Sequence, residues 1–135
     1  MTGDDLVREA RLLVGAPFYH AGRDPERGGV DCCGVILVPA YRLGLTTFAP
    51  RTYSPGGEEE YMLECLQSEC VRVEEGMQPG DIALFKIRKR LQHLAYLTGD
   101  GRMIHAREGV GVCDSFIDER WQERIAGVYR WKGLI

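Results

Sequence analysis

Cys32 and the three histidines His20, His93 and His105 are the residues whose types and spacing could do covalent chemistry. Cys32 follows a glycine-rich stretch and opens an apolar run. A thiol at a helix start feels the positive end of the macrodipole, which favours the nucleophilic thiolate. A cysteine nucleophile also needs a histidine base, held in turn by a second polar group. His93 and His105 lie on two apolar stretches either side of Gly99-Asp100-Gly101, a hairpin signal that brings such stretches together. Taken singly, each has a bland reading, as an inert helix-start thiol or as a surface or core imidazole. Taken together, they describe acyl transfer by an activated thiol.

Those residues need elements to position them. Leu6, Val7, Ala10, Leu13 and Val14 recur at helical spacing, so 2–14 reads as a helix, with Thr2 and Asp5 as a capping box and Gly15 as its stop. Residues 15–30 hold Pro17, Gly22, Pro25, Gly28 and Gly29 and read as a long functional loop. A buried helix is expected from Cys32 to near Gly44, kinked at Pro39. A third helix is expected over 58–69. Strands follow at 82–85, 93–98, 102–106 and 110–113, then a short helix over 115–125 with Phe116, Trp121 and Ile125 inward, and a closing strand over 127–131. Helices first and an antiparallel meander after them make an α+β fold, with the helices packed on one face of a small sheet.

The length of 135 residues suits one domain spanning 1–135. A formal net charge of −3 argues against a nucleic-acid partner. The one basic run, Lys86 to Arg90, reads as a solvated turn. No stretch has the apolar length of a membrane span, and Asp4 and Asp5 stand where a signal peptide would carry cations. The expectation is a protein that is cytoplasmic when made and has no membrane partner. The five cysteines, Cys32, Cys33, Cys65, Cys70 and Cys113, are odd in number and lack C-x-x-C spacing, so neither a disulfide framework nor a metal site is expected. No cofactor motif is present. Cys65, Cys70 and Cys113 read as small core residues.

Several blocks together resemble the NlpC/P60 peptidases. Asp31-Cys32-Cys33-Gly34 is similar to that family's Asp-Cys-Ser-Gly, and Gly15-Ala16-Pro17-Phe18-Tyr19-His20 to its Gly-x-Pro-Tyr loop. Pro79-Gly80-Asp81-Ile82 resembles its Pro-Gly-Asp-Leu, His93 to Leu97 its His-Val-Gly-Ile-Tyr, and Met103-Ile104-His105-Ala106 its Met-Ile-His-Ala. The resemblance implies a papain-like fold, with Cys32 as nucleophile, His93 as general base and then acid, and His105 as the group orienting His93. It puts Phe18, Tyr19, His20 and Asp31 on the substrate side, Asp31 chiefly as a helix cap. His20 either lines the cleft or fastens the loop. Two positions depart from the family pattern: Phe18 replaces a tyrosine whose hydroxyl serves the substrate site, and Cys33 replaces serine.

The implied activity is that of a thiol endopeptidase on peptidoglycan stem peptides, at the bond between D-glutamate and the following diamino acid. The loop form with His20 is similar to phage-tail and gene-transfer-particle members, which implies tail or particle proteins as partners and carriers. The alternatives are an amidase or acyltransferase on another substrate, or a catalytically impaired tail-assembly protein.

Overall fold

A computed structural model of the chain describes residues 1–55 and 58–135. The first helix, α1 (Gly3–Arg11), begins at the capping box expected for it. The Thr2 side chain accepts from the Asp5 N–H, and the Asp5 carboxylate accepts from the Thr2 N–H at 2.9 Å. Leu6, Val7 and Ala10 form its buried face. The loop after it is partly ordered as a small hairpin of β1 (Arg23–Asp24) and β2 (Gly29–Val30). Gly29 takes a left-handed φ of 119°, and a Cβ there would lie 2.0 Å from the Pro17 carbonyl oxygen. The glycine therefore lets the returning strand cross Pro17-Phe18 at backbone distance.

The central helix, α2 (Cys32–Arg42), is buried from Gly34 through Ala40. Pro39 lies inside it without ending it. Helix α3 (Glu59–Glu69) leads directly into β3 (Cys70–Arg72), so Cys70 starts a strand rather than continuing a helix; it is buried, as a core residue should be. Then come β4 (Ile82–Ile87), β5 (Arg90–Leu97), β6 (Arg102–Arg107) and β7 (Gly111–Phe116), a short α4 (Glu119–Glu123), and β8 (Ile125–Trp131). The six-stranded sheet has the order β3-β8-β4-β5-β6-β7 and its pairs are antiparallel.

Alternation along the strands divides the core in two. Ile82, Leu84, Leu94, Tyr96 and Ile104 face α1, α2 and α3. Ala83, Phe85, Ala95, Leu97 and Met103 face the other way, where Trp121, Ile117 and Ile125 cover them. The N-terminal helices α1, α2 and α3 thus pack on one face as expected, and the short α4 adds cover to the second face. Its length is corrected. Ser115 and Phe116 belong to β7, and Phe116 is 64% exposed rather than inward. Asp114-Ser115-Phe116 lacks apolar alternation. What draws it into the sheet is pairing with β6, reinforced where Arg102 Nε donates to Asp114 at 2.8 Å.

Two anchors fix the sheet to the helices. Asp81, 1% exposed, accepts from both Arg130 Nε at 2.7 Å and Nη2 at 2.9 Å, joining the start of β4 to β8. The Pro-Gly-Asp block is therefore structural. Trp131 Nε1 donates to the Tyr96 hydroxyl at 2.8 Å, and that hydroxyl donates to the Ile36 carbonyl of α2.

Candidate active site

Asp31 is the N-cap of α2, and its carboxylate is the hub of the site. One oxygen accepts from the Gly34 N–H at 2.8 Å and from Arg23 at 3.0 Å. The other accepts from the Ala21 N–H at 2.9 Å and from the Tyr53 hydroxyl. One side chain thus ties the helix start, the 15–30 loop and the segment carrying Tyr53 into one unit. Gly34 is required beside it, since a Cβ there would meet the Gly22 carbonyl oxygen at 2.4 Å.

This cap presents Cys32 as the first helical residue, on the wall of an open cleft of ≈ 540 Å³. The first N–H groups of a helix have no intrahelical partner. The Cys32 N–H is therefore available as an oxyanion donor at the thiol itself. Cys33 differs. Its hydrogen bond to Cys32 and then burial push its thiol well above the usual range, so it stays protonated. All five cysteines are free thiols.

His93 lines the same cleft. The β5–β6 ladder is confined to Tyr96↔Ile104 and Leu97↔Met103. Beyond it the strand ends separate, and Gln92-His93 from one and Ala106-Arg107 from the other line the cleft between them. His93 Nε2 lies 2.8 Å from His105 Nδ1, and His105 Nε2 lies 2.7 Å from Ser115 Oγ. If His93 Nδ1 is to accept a proton from the cleft, Nε2 must carry hydrogen and donate to His105. His105 then donates through its own Nε2 to Ser115. The rings of His93 and His105 also pack on Trp121, at centroid distances of 5.6 and 5.5 Å. Burial, and secondarily the nearby Arg107 cation, lowers His93 to about 4. Burial, then His93 and Arg107, lowers His105 to about 3. Both imidazoles are neutral at neutral pH, the form a proton acceptor needs.

The residues expected on the substrate side divide. Phe18, His20 and Asp31 line the cleft. Both readings of His20 hold, because it lines the cleft and its Nε2 also meets the Tyr53 carbonyl at 2.9 Å. Tyr19 does not join them: it is 60% exposed and lies outside the cleft wall, since neighbouring residues of an extended segment point opposite ways. Tyr53, absent from the sequence reading, lines the same cleft as Phe18 and supplies a phenol to it. Burial first, then Cys33 and Asp31, keeps that phenol neutral by raising its pKa. Ser115 and Trp121 were also missed as site residues, Ser115 because its segment reads as helix. Among the described residues no cluster of His, Cys, Asp and Glu is arranged to hold a metal ion.

The NlpC/P60 family matches residues 15–130. The chain belongs to that family. Over 132 residues it is 26% identical to the gamma-DL-glutamyl hydrolase of Bacillus subtilis, covering 96% of this chain and 29% of that protein. It is 27% identical over 106 residues to the gamma-D-glutamyl-L-lysine dipeptidyl-peptidase of Bacillus cereus, covering 76% of this chain and 28% of that one. Among solved structures, an NlpC/P60 family protein from Bacillus cereus superposes with a TM-score of 0.73 at 27% identity, over 97% of this chain and 40% of that one. The chain thus spans under a third of the length of the curated relatives it matches. The papain-like α+β architecture is the one the motif resemblance implied. None of these three relatives is a phage-tail protein by name.

Proposed function

We propose that the chain is a cysteine peptidase of peptidoglycan stem peptides, cutting between D-glutamate and the following diamino acid. The observation that carries this is the meeting, in one cleft, of a helix-start thiol and a neutral histidine backed by a second buried histidine. The bond assignment draws support from the two γ-glutamyl hydrolases among the relatives.

In the reaction, His93 Nδ1 takes the Cys32 proton as Sγ bonds to the carbonyl carbon. The oxyanion accepts from the Cys32 N–H. The C–N bond then breaks, and the amine leaves with the proton from His93. Water, deprotonated by His93, cleaves the thioester, releasing the carboxylate product and restoring the thiol. His105 holds the His93 ring and takes no part in bond making.

Purified muropeptides incubated with the protein and read by mass spectrometry should show cut stem peptides, and the Cys32→Ala protein should leave them whole. Iodoacetamide near neutral pH should label Cys32 faster than a free thiol. Intact stem peptides alongside turnover of simple amides or esters would sink the cell-wall assignment, and slow labelling would sink the thiol mechanism. Carriage in a phage tail or related particle is supported by the Phe18-Tyr19-His20 loop form; proteomics of purified particles that finds no copy of the chain removes it.

A further inference from the structure

The reaction gives Tyr53 no part, yet its hydroxyl meets two charged groups at once. An ionised carboxylate can only accept hydrogen bonds, and a guanidinium can only donate them. The phenol therefore gives its one proton to Asp31, and its oxygen accepts from Arg23 Nη2 at 3.0 Å. No proton is left for a substrate or an oxyanion, although the residue lines the cleft. What the hydroxyl contributes, it contributes through Asp31.

The neighbours of Tyr53 hold that contact from several sides. A carbonyl oxygen only accepts, so His20 Nε2 carries hydrogen and donates to the Tyr53 carbonyl at 2.9 Å. The His20 and Tyr53 rings also meet edge-on, with their centres 5.2 Å apart. Arg23 Nη1 bonds the other oxygen of Asp31 at 3.0 Å, and its guanidinium lies 5.8 Å from the centre of the Tyr53 ring. The backbone supplies an independent observation. Ala21 donates its N–H to the same carboxylate oxygen as Tyr53, and does so at a left-handed φ of 58°, which is costly for a residue with a Cβ. Strain of this kind persists only where the surrounding structure fixes it.

Asp31 is buried and directly precedes Cys32. A negative charge there opposes a second one forming on the neighbouring thiol. Donors that take up the carboxylate's charge lessen that opposition. We propose that Tyr53 is a positioning residue for the nucleophile: with Arg23 it holds Asp31 and takes up its charge, so that the Cys32 thiol can ionise beside it. This rests on the thiol mechanism above and not on the choice of substrate. Other ionisable groups line the same cleft: Cys33 from α2, His20 from the loop, and His93, Arg107 and Glu108 from the sheet side, with Arg88 and Arg124. A substitution that removes only the Tyr53 hydroxyl leaves all of them in place, so a change at Cys32 then reports on Asp31.

The test uses Tyr53→Phe, which keeps the ring, and Arg23→Gln, which removes the charge. Labelling of Cys32 by iodoacetamide across pH needs no substrate. In Tyr53→Phe the midpoint of that profile should move up by about one pH unit, so that labelling near neutral pH slows about tenfold. Arg23→Gln should move it in the same direction. With a stem peptide as substrate, kcat should fall alongside labelling while KM holds. Urea unfolding reports whether each variant is folded; should Tyr53→Phe fail to fold, the same readings on Arg23→Gln decide. An unmoved midpoint in the folded variant would overturn the proposal, as would a raised KM with kcat kept, because the phenol would then be touching substrate. Fast labelling of wild type with an unmoved variant sinks this proposal alone, whereas slow labelling of wild type sinks the thiol mechanism and this proposal with it. A moved midpoint in a protein that cuts no stem peptide would uphold the role of Tyr53 and refute the substrate reading.

Discussion

His93 and His105 touch each other at the cleft wall with little exposure, 9% and 1%, and this burial has a thermodynamic signature. Their folded-state pKa values, about 4 and about 3, lie below the ordinary 6.5. Above pH 6.5 both rings are neutral in the folded and unfolded chain alike, so neither contributes to a pH dependence. Below it the unfolded chain binds protons that the folded chain refuses, and stability falls as pH drops through the window from about 6.5 to about 4, with His105 extending it toward 3. The slope is at most about 1.4 kcal/mol per pH unit for each ring. Urea unfolding midpoints should therefore be lower at pH 5 than at pH 7, and His93→Gln should make that fall shallower. A midpoint independent of pH across this range would mean the pair is solvated. Cys33 gives the complementary residue-scale lesson. Two adjacent thiols look interchangeable in sequence and both line the cleft, yet a hydrogen bond to Cys32 and then burial disfavour ionisation of Cys33.

Strand β7 is the element that sequence patterning concealed. Helical spacing of Phe116, Trp121 and Ile125 suggested one helix, but only Glu119–Glu123 is helical. Asp118 caps that turn, its carboxylate accepting from the Trp121 N–H at 2.9 Å. The misreading hid a function, because a strand at 111–116 is what brings Ser115 Oγ within 2.7 Å of His105. We expect Ser115 to act as a positioning residue. Ser115→Ala would leave the His105 Nε2–H unpaired, at a cost of about 1–2 kcal/mol, which lowers kcat about tenfold. KM should hardly move, and Ser115→Thr should restore the rate. Peptide kinetics across pH check this: loss of the pairing should also shift the acid limb of kcat, which a merely structural role would not do. The other elements were more legible. The Thr2–Asp5 capping box, the hairpin at Gly99-Asp100-Gly101 and the helix opening at Cys32 are local signals, written within a few residues. The basic run was half legible. It does form a turn, but nothing local to Lys86–Arg90 reveals that Arg88 reaches a cleft completed by β6 and α4.

At the scale of the whole molecule, the α+β division was readable because helical and alternating periodicities occupy separate halves of the chain. The partition of the sheet into two cores was not, since it depends on β8 returning to pair with β4 and on α4 crossing to the second face. Tyr53 was invisible for the same reason: it comes from a segment with no periodicity and enters the site through its bond to Asp31. That hub bears on how such a site can change over time. Asp31 is joined to Ala21, Arg23, Gly34 and Tyr53, whereas the hairpin tip from Asp24 to Gly28 bonds none of them through its side chains. A change of length at the tip therefore leaves the cap of α2, and the thiol it presents, in place. A change at the carboxylate, by contrast, alters reactivity and recognition in the same step.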